Sequence, residues 1–205
     1  MKTIGRRGVY LAFVLSMLLQ GVVAQRAADD GSVQASRLRG VIERFGQDVG
    51  AFNRFWTSEV SAARIARFSE LYADELATLA KMNFDSLSHD EQVDYILFKN
   101  YLEHEQREMS RFKVQVDEMA ALIPFARVVT DLEDARRRLE FADAAKTATV
   151  LNDLAKTIEA AEKRGLADKS VRVPRTVANR TARHVAGLRD TLRRWYAFYN
   201  AYDPT

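Results

Sequence analysis

The sequence predicts an all-α protein, an antiparallel array of about five or six helices preceded by a signal peptide. Three observations carry that expectation. Apolar residues recur at spacings of three and four along most of the chain, and no period-2 strand pattern of useful length appears. Only 9 glycines and 3 prolines interrupt 205 residues. Capping signals fall where the periodic segments start and stop.

The first 24 residues have the layout of an export signal. Lys2, Arg6 and Arg7 form a positive start, Val9 to Leu19 is nearly all apolar, and Val22 and Ala24 supply small residues before a cleavage point. A spanning helix needs about 18 or more apolar residues, so the run favours a cleaved signal over a retained anchor. The expected location is therefore exported, periplasmic or extracellular, with no stable membrane span after cleavage. The chain has no cysteine, which excludes both disulfides and lipid attachment at a cysteine. Removing the signal's three cations leaves 28 basic against 28 acidic side chains, because the formal +3 belongs wholly to that segment. A neutral mature chain does not have the charge of a nucleic-acid binder.

Gln25 to Ser32 is polar and predicts a disordered lead-in, so the helical domain is expected over 33–205. Leu38, Val41, Ile42, Phe45, Val49 and Phe52 mark the first helix. Thr57 or Ser58 offers an N-cap for the next, whose apolar positions include Ile65, Phe68, Tyr72, Leu76 and Leu79. Ser88-His89-Asp90-Glu91 is a capping box, with Leu87 as a staple residue, and opens a long helix to about Ala121. Pro124 breaks the pattern, and a helix restarts at Phe125 with Val128, Val129, Leu132, Ala135 and Leu139. The alanine-rich stretch from Ala142 predicts another helix, ended by Lys163, Arg164 and a C′ Gly165. Pro174 then opens the last helix, which runs toward the C-terminus.

Residues 104–108, "HEQRE", differ from the zinc-protease pattern H-E-x-x-H only in carrying Glu108 for the second histidine. His104 and Glu108 lie four apart, so both can approach one point. Two ligands do not make a catalytic zinc site, which takes three, and only His89 and His184 remain as other histidines. A helical di-iron site would want Glu three before His104, where Tyr101 stands. The expectation is a stripe of Val93, Leu97, Asn100, Tyr101, His104 and Glu108 packed on neighbouring helices, with the two polar groups bonded to each other or across an interface.

The run from Lys169 to Arg194 holds eight basic residues against Asp190 alone. Its arginines are spread around a helix, and the expectation is pairing with acidic groups such as Asp131, Glu133 and Asp134. Asn179-Arg180-Thr181 fits a glycosylation acceptor. No phosphate loop, nucleophile triad or complete metal shell can be assembled, so no catalytic, cofactor-binding or metal-ligating residue is predicted.

Three stretches carry a family resemblance. They are "MNFDSLSHDEQVDYILFKNYLEHEQREM" from Met82, "IPFARVVTDLEDARRRLE" from Ile123, and the ending "WYAFYNAYDPT" from Trp195. Together they resemble the N-terminal part of the exported bacterial family known as domain of unknown function 885, over about Ser36 to Thr205. The resemblance implies a longer domain whose C-terminal half bears a His-Glu motif similar to that of helical zinc metallopeptidases. No stretch here matches that motif, so no catalytic residue carries over, and zinc belongs only to a longer family member. The expected function is the non-catalytic helical part of an exported hydrolase, with the C-terminal half as partner. The alternative is a free-standing exported binding or scaffolding protein, supported by the basic and aromatic last helix, where Trp195, Phe198, Tyr199 and Tyr202 share a face.

Overall fold

A computed structural model describes residues 36–167 and 172–202. The expected signal (1–24), the lead-in (25–32) and the terminal Asp-Pro-Thr lie outside the described residues. Among those described there are six α-helices and no strand: α1 (Arg37–Phe55), α2 (Ala62–Ala80), α3 (His89–Met119), α4 (Ala126–Arg137), α5 (Ala144–Ala167) and α6 (Arg175–Tyr202). A single 3₁₀ turn, Phe84–Ser86, joins α2 to α3.

The 31-residue α3, about 46 Å long at 1.5 Å per residue, threads two apolar cores. The first core packs Leu38 and Phe45 of α1 and Phe68, Tyr72 and Leu79 of α2 against Phe98 and Leu102 of α3. Edge-on ring contacts such as Phe45–Phe98, at 5.2 Å, order it. The second core gathers Met119, Ile123, Val129, Leu154, Val177 and Leu188 around the far end of α3. Helix α5 joins it through Leu151 and Leu154 while keeping most of its surface in solvent.

The capping box is present as the sequence predicts. Ser88 Oγ accepts from Glu91 N–H, and the Glu91 carboxylate accepts from Ser88 N–H at 2.9 Å. That carboxylate also accepts from the backbone N–H of Arg37 at 2.9 Å and from its guanidinium at 3.2 Å. One buried side chain therefore starts two helices and ties them together.

Several local expectations need correction. The N-cap of α2 is Ser61, not Thr57 or Ser58: its Oγ accepts from Arg64 N–H and donates to Asp134 of α4 at 2.9 Å. Ser58 is buried, and its carbonyl accepts from Ser61 N–H, which holds the corner one turn earlier. Leu139 is not helical. Helix α4 stops at Arg137, and Leu139 takes a φ of 57° with 86% exposure. The N–H of Leu139 donates to Arg136 O and that of Glu140 to Ala135 O, which is the Schellman ending usually built on glycine. Gly165 in turn is not a C′ residue. Its φ is not positive, and α5 continues through it to Ala167. Asp143 starts that helix, accepting from Lys146 N–H at 2.9 Å, and Pro174 precedes α6 with its carbonyl accepting from Ala178 N–H.

Candidate functional site

The near-motif does not form a site. His104 is exposed, Glu108 bonds to Arg111, and Glu105 lies 3.5 Å from the Tyr72 hydroxyl. Burial and the neighbouring Glu105 push the Tyr72 phenol well above its ordinary range. His89 is exposed at the first position of α3. Among the described residues no three His, Cys, Asp or Glu side chains gather as a metal shell.

The stripe carrying His104 is the correction with functional weight. Of its residues Tyr101 meets Phe45 of α1 edge-on at 6.0 Å, and none belongs to either buried core. The buried face of α3 is the row Tyr95, Phe98, Leu102, Met109, Phe112, Val116 and Met119, rotated by about one residue, or 100°. The expected stripe instead faces solvent, with Leu97 63% and Tyr101 46% exposed and Val93 also open; the adjacent Ile96 is exposed as well. Beside it, Ile42, Phe45 and Val49 of α1 and Leu97, Phe98 and Tyr101 of α3 line an open groove of about 450 Å³. Gly46 lies at its edge, where an added Cβ would meet nothing within 4 Å. Asp94 stands at one end and accepts from the Ser36 hydroxyl at 3.3 Å.

The acidic cluster on α4 does not pair with the basic last helix. Asp131 pairs with Arg127 at 3.5 Å, Glu133 with Arg136 and Arg137 at 2.6 and 2.9 Å, and Asp134 bonds to Ser61. Burial alone would raise the pKa of Glu133, but the two guanidiniums outweigh it and hold the carboxyl below its ordinary value. Helix α6 reaches α3 through Arg180 and Glu118 at 2.9 Å.

A second cavity, of about 560 Å³, lies between α6, α3 and the α1–α2 connection. From α6 it receives Arg180, Arg183, His184, Gly187 and Arg194, from the connection Thr57, Ser58 and Glu59, and from α3 Phe112. His184 stacks edge-on against Phe112, with its Nδ1 3.9 Å from Glu59. Burial pushes its pKa below the usual value; Glu59 opposes this, and Arg183 and Arg180 add to it. The acceptor pattern at Asn179 falls inside α6, where the Thr181 hydroxyl is buried and donates to Val177 O. At the C-terminal end of α6, Trp195 is buried against Tyr199, and Arg136 of α4 sits 5.0 Å over the Phe198 ring. The aromatic end thus seats α6 on α4 within this chain.

No protein-family model, curated protein or solved structure matches the chain. The exposed row and the arginine-lined cavity therefore stand on geometry alone. Sequence reasoning overlooked the cavity. Its signal lay in positions 180, 184, 187, 191 and 194, a single stripe at spacings of four and three that contains a glycine.

Proposed function

We propose that the chain is a non-catalytic helical part of an exported hydrolase of the kind it resembles, inert by itself, whose metal-bearing half seats on the α1–α3 face. The observation that carries this reading is the exposed apolar row of Val93, Ile96, Leu97 and Tyr101, on a helix whose other apolar row packs into the two cores. Contiguous apolar surface rimmed by polar groups marks interaction sites. Each large apolar side chain buried there contributes about 1.5–3 kcal/mol. The occupant this face fits is an apolar helical surface, with Asn100 and His104 on the same stripe supplying polar contacts.

The test uses the metal-bearing half of a full-length member of the resembled family, expressed separately. The 205-residue chain should bind it, and Leu97→Glu with Tyr101→Glu should abolish binding without loss of helical circular dichroism. Unchanged binding by that double variant, or peptide or ester hydrolysis by the chain alone, contradicts the proposal. Capture of an unrelated exported protein by the same face, with no affinity for the metal-bearing half, would favour the free-standing scaffold instead.

A further inference from the structure

We propose that the cavity between α6, α3 and the α1–α2 connection binds a small oxyanion, the phosphate or carboxylate group of a ligand. Its size suits this: about 560 Å³ lies within the range of small-molecule sites, roughly 300–1,000 Å³. The donors are presented by one face of α6. Arg180, Arg183 and Arg194 line the cavity, and guanidiniums match oxyanions with two parallel N–H bonds.

Charge balance inside the cavity favours an anion. Glu118 engages Arg180, but among the described residues neither Arg183 nor Arg194 is paired with a carboxylate. Arg194 donates only to the Thr191 hydroxyl, at 3.3 Å. Of the two acids that line the cavity, Asp190 is held by Arg189 at 3.2 Å. Glu59 stands largely in solvent facing His184, 71% exposed. Thr57 and Ser58 add hydroxyl donors from the opposite wall.

Gly187 also lines the cavity, and an added Cβ there would meet no atom within 4 Å. A larger side chain at this position would project into the open space beside the arginines.

The test is isothermal titration of the 205-residue chain with inorganic phosphate and, separately, with succinate, at constant ionic strength. At least one should bind saturably with a Kd below about 1 mM. Phosphate alone would identify the ligand group as phosphate, and succinate alone would identify it as carboxylate. Arg183→Gln with Arg194→Gln should weaken binding by at least about tenfold. Gly187→Leu should abolish it while leaving the chain folded by circular dichroism, since leucine favours the helix more than glycine does. The proposal is overturned if neither anion binds saturably with a Kd below about 1 mM. Binding that survives unchanged in the double arginine variant or in Gly187→Leu overturns it equally, because the anion would then sit elsewhere.

Discussion

Ser61→Ala tests how the two cores are joined. The Ser61 hydroxyl accepts from Arg64 N–H at the start of α2 and donates to the buried Asp134 of α4. Losing an N-cap hydroxyl costs about 1 kcal/mol. Leaving Asp134 buried without its donor adds about 1–3 kcal/mol. The sum is about 2–4 kcal/mol, which lowers Tm by roughly 4–16 °C in a chain of this size. Burial raises the Asp134 pKa and the Ser61 bond opposes that, so removal of the hydroxyl should raise it further. Urea unfolding followed by circular dichroism provides the measurement. A double-mutant cycle with Asp134→Asn should return a coupling of about 1–2 kcal/mol. A Ser61→Ala cost below about 0.5 kcal/mol would refute the reasoning.

The remaining stability predictions concern three other positions. Gly165→Ala should stabilise the chain by about 0.5–1 kcal/mol, because Gly165 lies inside α5 with a negative φ and open space at Cβ. A destabilisation would instead indicate the left-handed C-cap that the sequence pattern suggests. Leu139→Gly should stabilise by about 0.5–1 kcal/mol, since glycine relieves the left-handed strain and costs some unfolded-state entropy. Glu91 has a pKa lowered from 4.5 to about 2, first by the Arg37 side-chain bond and then by the backbone N–H groups of Arg37 and Ser88. Its stabilisation is present above pH 4.5 and is lost as pH falls from 4.5 toward 2. Glu91→Gln should therefore flatten the acid-unfolding curve over that window; a curve identical to wild type would count against the bridge.

The helical class was legible because each helix carries an unbroken apolar row and most starts carry a capping residue. Ser88 and Glu91 are the clearest case: both halves of the box appear in the sequence and both bonds form. The face of α3 was harder. Apolar residues occupy two rows, and the row through Leu97 and Tyr101 looks as apolar as the one through Phe98 and Leu102 over its first three turns. What distinguishes them is continuity. The buried row stays apolar from Phe112 to Met119, whereas the exposed one breaks at Asn100, His104 and Glu108. Leu139 misled for a different reason: periodicity counts side chains and is blind to a left-handed ending formed without glycine. The Ser61–Asp134 bond spans 73 residues, and the cavity needs Thr57 and Ser58 brought against α6. Neither juxtaposition has a local signature.

The most direct test of the central claim is a mixing assay. The zinc-loaded metal-bearing half of a full-length member of the resembled family is titrated with the 205-residue chain, and peptide or ester hydrolysis is followed. The chain alone should be inactive and free of stoichiometric zinc. Its addition should raise the rate of the other half until saturation at equimolar chain, and the Leu97→Glu, Tyr101→Glu variant should fail to do so. A rate that does not respond to the wild-type chain, or one that responds equally to the variant, contradicts the account, as does hydrolysis by the chain alone.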